Sequence, residues 1–341
     1  MHVSRRMGEQ SFLLDTPPVL SSWASIVADK EGEGPLGTRF DQVIQDDLWG
    51  EKTWEQAESK MSREACLLAL KKIGKTPSQM QLMLGGDLLN QLTATGFGAR
   101  ELGVPFIGLY GACSTFALSL LTASLCMDTG AFDNALCVAS SHFSSAERQY
   151  RNPLELGNQR PATAQWTVTG AGAVVLEKQG QGPRLAACTL GKVIDMGIAD
   201  PNNMGAAMAP AAVDTIVRHL KDTGRKASDY DAIFTGDLGK LGRTLCQQMA
   251  QEQGYPIARQ HDDCGCMIFD PEQDVHAGAS GCGCSAVVTC ATVLPKLKSG
   301  SSRRVLLVAT GALLSQTTSL QGESIPSIAH AVELVAEGVP A

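Results

Sequence analysis

Residues 82–89 read "LMLGGDLL" and residues 232–239 read "AIFTGDLG". Each is an apolar run ending in Gly-Asp-Leu, the pattern of a buried strand leaving a sheet through a tight turn. Two further echoes follow in the same order. "GACS" at 111–114 answers "GASG" at 278–281, each opening an apolar helical pattern that runs to a glycine. "DNALCVASS" at 133–141 answers "SRRVLLVATG" at 302–311. Three ordered echoes indicate a duplicated chain. The polar stretch "KQGQGPR" at 178–184 is a suitable join, dividing the chain into halves 1–180 and 181–341.

Around these landmarks helical and strand-like segments alternate. "EQAESKMSREACLLALKKIG" at 55–74 has apolar residues at helical spacing before a terminal glycine. "QLMLGG", "VPFIGLYG", "NALCVASS" and "GAGAVVLEK" read as strands, with helices over 88–102 and 113–129. The second half predicts strands in "RLAACTLGKVID", "DAIFTGD" and "RRVLLVATG", with helices over 210–222, 241–253 and about 280–298. This alternation predicts a layered α/β fold. Residues 1–50 show no period and read as irregular. A duplication of this kind brings the carboxyl ends of equivalent strands together at a pseudo-two-fold axis, where open α/β sheets place their ligands. Asp87, Cys113, Asp237 and the 278–281 turn are therefore expected to converge.

Composition narrows the function. The chain has 341 residues, 44% of them hydrophobic, enough for a large core. Its 28 basic and 35 acidic residues leave a net charge of −7, which argues against nucleic acid as a partner. Eleven cysteines, several inside apolar runs such as "ALCVAS", read as buried thiols in a reducing compartment. "MHVSRRMGEQSFLL" lacks the apolar core of a signal peptide, and no uncharged run reaches membrane-spanning length. The expectation is a soluble or peripheral protein.

The strand leading into "GACST", the strand "GAGAVVLEK" at 170–178 and the turn "VHAGASGCG" at 275–283 resemble the thiolase and ketoacyl synthase superfamily over about residues 55–335. The last is one residue shorter than the thiolase histidine turn. Within that superfamily, "GDLLNQ", "GACST", "SSHFSSAERQYRNP", "VTGAGAVVL", "AMAPAAVDTI", "TGDLG", "VHAGASGCGCSAVV" and "LLVATGALLS" closely resemble the stage V sporulation protein AD family. The resemblance implies a duplicated thiolase-like α/β fold of two pseudo-two-fold-related halves, and a homodimer. It implies a peripheral protein of the forespore or spore inner membrane in a sporulating bacterial cell. Such a protein binds pyridine-2,6-dicarboxylate (dipicolinate), free or as its calcium chelate, and works with other proteins of its operon to load it into the forespore.

Cys113 has two physical readings. At a helix N-terminus the macrodipole and unpaired N–H groups favour a thiolate; the same turn also simply needs a small side chain. Condensation requires imidazole or amide groups that move protons and polarise a thioester carbonyl. Where the resemblance calls for a histidine after the second-half strand, Asp237 stands instead, and its charge would repel an enolate oxygen. His276, before the shortened turn, is the remaining candidate base. The residues favour binding without catalysis. The alternative is an acyl-CoA or acyl-carrier-protein condensing enzyme, or an acyltransferase, using Cys113 with His276.

A dicarboxylate needs hydrogen-bond donors around an apolar slot. The helix starts at Cys113-Ser114 and at Ser280-Gly281 offer backbone N–H groups. The segment at 140–160 adds His142, Arg148, Arg151 and Arg160. Asp87 and Asp237 would orient donors, hold a cation or cap the helices that follow. The "CGC" pairs at 264–266 and 282–284 lack the Cys-x-x-Cys spacing of zinc turns. No phosphate loop or dinucleotide fingerprint is present, so no cofactor is indicated.

Overall fold

The structure is a computed structural model that describes residues 5–150 and 160–340. Ten strands run side by side along the main sheet path, with short strands added outside it: β1 (Val19–Val27), β2 (Met83–Gly86), β3 (Phe106–Gly108), β4 (Asn134–Ser141), β5 (Gly170–Glu177), β6 (Arg184–Thr189), β7 (Ala232–Thr235), β8 (His261–Asp263), β9 (Arg304–Ala312) and β10 (Ser327–Val335). The first five lie in the order β3-β2-β4-β5-β1 and the second five in the order β8-β7-β9-β10-β6. Strand senses match as well. β2 is parallel to β3 and β4, and β5 is antiparallel to β4 and β1. β7 is parallel to β8 and β9, and β10 is antiparallel to β9 and β6. The duplication expected from the echoes is present as two sheets of one topology, touching where Arg184 pairs with Val19.

Helices fill three layers. α1 (Trp54–Lys71) and α2 (Thr93–Leu102) cover one outer face. α5 (Met204–Thr223) and α6 (Gly239–Glu252) cover the other, and α4 (Phe143–Tyr150) follows β4. Between the sheets lie α3 (Thr115–Asp128) and α7 (Cys282–Val288). α3 packs on β2 and β4 of its own half and on β9 and β10 of the other, while α7 packs on β1, β4 and β5. A helix enclosed this way must be apolar all round, as "FALSLLTASLCM" is. Phe116, Leu120 and Leu121 are almost wholly buried. α7 runs through a π turn at Thr289–Val293 into α8 (Leu294–Ser299), whose Pro295 cannot donate a helical hydrogen bond.

Three differences from the sequence reading have physical causes. The stretch read as irregular holds β1, where Ser22 and Ser25 interrupt the apolar run. Ser22 Oγ donates to the Ala69 carbonyl at 2.7 Å, so its burial carries no orphaned donor. β8 is "HDD", which has no strand pattern and exists only through parallel pairing with β7. α5 begins six residues before Pro210, which sits inside it rather than at its start.

Candidate functional site

β3 gives way to a turn at Gly111–Ser114 that throws Cys113 inward. Ser114 Oγ donates to the Gly111 carbonyl at 2.6 Å, and Thr115 Oγ1 donates to the Ala112 carbonyl at 2.7 Å. These bonds hold Ala112 in the left-handed region at φ 48°, a conformation costly for a residue with a side chain. Gly311, at the end of β9, presses on the same turn so closely that a Cβ there would lie 2.2 Å from the Gly111 oxygen. The two halves thus meet at the residue carrying the thiol.

Cys113 is 7% exposed. Its thiol faces the Asp237 carboxylate, whose Oδ2 accepts from the Gly281 N–H at 3.1 Å. Thr310 Oγ1 fixes the carboxylate by donating to Oδ1 at 2.6 Å. Burial pushes Asp237 up to about 6, against the pull of those donors. Burial, the Asp237 charge and neighbouring Cys282 push the Cys113 thiol well above its ordinary range. At neutral pH the pair is therefore a neutral thiol beside an ionised carboxylate. The N-terminus of α3 does not reverse this.

Asp87, the first-half counterpart of Asp237, has a capping task. Its oxygens accept from Leu89 N at 2.8 Å and from Thr95 N and Oγ1 at 2.7 Å each, fastening the start of α2. Burial and then the Asp87 charge push Glu58 well up; Ser140 and Ser145 donate to that carboxyl. His142 is fully buried: its Nδ1 accepts from Ser144 N at 3.2 Å, so Nε2 donates to the Asp47 carbonyl at 2.9 Å. Arg148 pairs with Glu55 on the surface. Arg160 Nη2 donates to the Gln165 carbonyl at 2.6 Å, and its guanidinium lies over Trp166. Arg151 lies outside the described residues. His276, at φ 55°, faces the exposed Asp274 carboxylate at 3.6 Å and does not line the cavity at Cys113. The fold brings together Cys113, Ser114, Asp237, Ser280 and Gly281, and leaves His142, Arg148, Arg160 and His276 elsewhere.

The cavity at Cys113 has apolar walls that include Leu88, Ala112, Met204 and Leu314, with Thr167 and Ser280 among its few polar side chains. Among the described residues no Lys, Arg or His lines it. Tyr110 and Tyr150 stand at its edge with their hydroxyls 3.3 Å apart. Both tyrosines lie in quoted motifs, but an aromatic in an aperiodic stretch gives no sign of its role. Thr310 was findable, since the third echo aligns it with Ser140, which also bonds a buried carboxyl. The "CGC" thiols serve the core: Cys282 donates to the Ala112 carbonyl at 3.0 Å and Cys284 to the Gly236 carbonyl at 3.2 Å. Among the described residues no three His, Cys, Asp or Glu side chains are grouped to hold a metal ion.

Comparison with known proteins gives one family model, "Stage V sporulation protein AD (SpoVAD)", matching residues 8–335. Stage V sporulation protein AD of Bacillus subtilis (strain 168) is 46% identical over 325 residues, covering 95% of this chain and 96% of the relative. Among solved structures, OleA of Xanthomonas campestris superposes with a TM-score of 0.62 at 15% identity, covering 95% of this chain and 97% of the other. The 3-oxoacyl-[acyl-carrier-protein] synthase III of Aquifex aeolicus gives 0.57 at 14% identity, covering 94% and 99%. At such identities these two likenesses describe the fold alone, which is thiolase-like.

Proposed function

The chain belongs to the stage V sporulation protein AD family, and from that premise we propose that it captures dipicolinate in the Cys113 cavity, without catalysis, for uptake into the forespore during sporulation. The observation that carries the non-catalytic part is the buried Asp237 carboxylate facing the Cys113 thiol. A nucleophile must give up its proton, and here a carboxylate facing the sulfur opposes that. The same charge faces the position where an enolate oxygen would develop, and His276 points to Asp274 instead.

The cavity's apolar lining also selects the form of the ligand. Its walls suit the faces of a pyridine ring, but a free dianion would find no cationic side chain among the described lining residues. The one-to-one calcium chelate, which carries no net charge, meets no such barrier. Other proteins of the same operon would hold the chain at the forespore inner membrane, since no helix among the described residues is long and apolar enough to cross a bilayer. A homodimer is part of the same reading: β3 is a sheet edge, Ile107 on it is 40% exposed, and Phe97 nearby in α2 is also exposed.

Calorimetric titration with dipicolinate, its calcium chelate and the 2,3-, 2,4- and 3,5-dicarboxylate isomers tests the reading. Saturable binding of the 2,6 isomer or its chelate alone supports it; equal or absent binding of all of them overturns it. What favours the alternative, a condensing enzyme or acyltransferase, is the placement of Cys113 before α3 with the Gly281 N–H beside it. Incubation with acyl-CoA and intact-mass analysis decides: a stable acyl adduct on Cys113 would establish it.

A further inference from the structure

We infer that Tyr110 and Tyr150 form a hydroxyl-latched gate over the Cys113 cavity and, once parted, are the neutral donors that bind the ligand's carboxylate. This inference rests on the dicarboxylate-binding reading above. Among the described residues every other side chain lining the cavity is buried, whereas Tyr110 is 46% exposed and Tyr150 is partly exposed, so these two stand at its mouth. They come from different elements. Tyr110 precedes the Gly111–Ser114 turn, and Tyr150 is the last residue of α4. Their hydroxyls meet at 3.3 Å, a long bond that joins the two sides of the mouth.

With the two hydroxyls joined, the mouth of the cavity is bridged, and among the described lining residues the tyrosines are the side chains with solvent to move into. Parting them breaks one weak hydrogen bond and frees two O–H groups. Burial raises both phenols above their ordinary range, so both stay protonated and able to donate. Among the described residues the lining has no Lys or Arg, so they supply its polar recognition, and they exclude water once closed over the bound ring.

The test uses the whole chain and the variants Tyr110→Phe, Tyr150→Phe, the double Phe variant and Tyr110→Ala. Phe keeps the ring and removes the donor. Each single Phe variant should bind calcium dipicolinate about tenfold more weakly, and the double variant about a hundredfold, since hydrogen bonds to charged groups are the strong ones. Alkylation of Cys113, followed by peptide mass spectrometry, reads the gate without the ligand. Tyr110→Ala should accelerate a bulky maleimide more than iodoacetamide, and calcium dipicolinate should protect the wild-type thiol from both. Wild-type binding with a double Phe variant within about threefold of it would overturn the donor role while leaving the proposed function standing. Equal acceleration of both reagents by Tyr110→Ala would overturn the gate. A wild-type chain that binds no dicarboxylate would overturn the function and the inference with it.

Discussion

Cys113 and Asp237, 124 positions apart in the chain and in different halves of the fold, meet in the core, the thiol facing a carboxylate that Thr310 Oγ1 and Gly281 N hold in place. The superfamily's turn and helix present the sulfur as if for attack, and the partner opposite it holds the proton in place. Removing the carboxylate's charge should therefore release the thiol. In Asp237→Asn the rate of Cys113 alkylation should rise at every pH between 7 and 9, and its pH profile should move to lower pH. A profile unchanged from wild type would mean that Asp237 does not control the thiol.

The same carboxyl links stability to pH. Asp237 lies near 6 in the folded chain against an ordinary 3.8, so the folded state holds this proton more tightly than the unfolded one. Its contribution is fully present below 3.8 and is lost as pH rises through 6, a difference worth about 3 kcal/mol. Relative to wild type, Asp237→Asn should gain melting temperature between pH 4 and pH 7 and change little above that. A difference between the two proteins that does not vary with pH would contradict this.

Gly311 is the point where β9 meets the Cys113 turn. A methyl group at that position would overlap the Gly111 oxygen, so Gly311→Ala should cost about 1–3 kcal/mol and shift the turn that carries the thiol. Denaturant unfolding measures the cost, and a variant as stable as wild type with the same ligand affinity would show that the contact is slack.

The exposed edge at β3 should pair two chains. Ile107→Asp places a charge on that edge and should yield monomers at micromolar concentration where wild type sediments as a dimer. A wild type that is monomeric at that concentration removes the homodimer from the account.

The duplicated architecture was legible because its landmarks are local. Gly-Asp-Leu after a strand, a small-residue turn before an apolar helix and a long apolar strand each need only a few neighbouring residues to be recognised. β1 and β8 were not legible, because Ser22 and Ser25 break the period of one and "HDD" has no strand character at all. Both depend on partners distant in sequence. The meeting of Cys113 with Asp237, Ser280 and Gly281 followed from the echoes, whereas Asp87, expected beside them, spends its oxygens on Leu89 and Thr95 at the start of α2. The arginines could not be placed the same way: Arg148 and Arg160 find a surface carboxylate and a backbone carbonyl through contacts that no motif records. The Tyr110–Tyr150 contact likewise joins a loop to a helix end, and only the folded chain brings them together.

The central claim, a ligand cavity in which Cys113 is wall rather than nucleophile, is tested most directly by titrating calcium dipicolinate into wild type, Cys113→Ser and Cys113→Phe in one calorimetric series, with melting temperature as the folding control. Serine keeps the volume close and leaves the backbone donors in place, so its affinity should fall by no more than about tenfold, or about 1.4 kcal/mol. Phenylalanine should fill the slot and abolish binding in a chain that still folds, with some loss of stability. Undiminished binding by a folded Cys113→Phe would contradict the account by placing the ligand elsewhere. A folded Cys113→Ser that binds as wild type does yet loads no dipicolinate into spores would return Cys113 to the role of nucleophile.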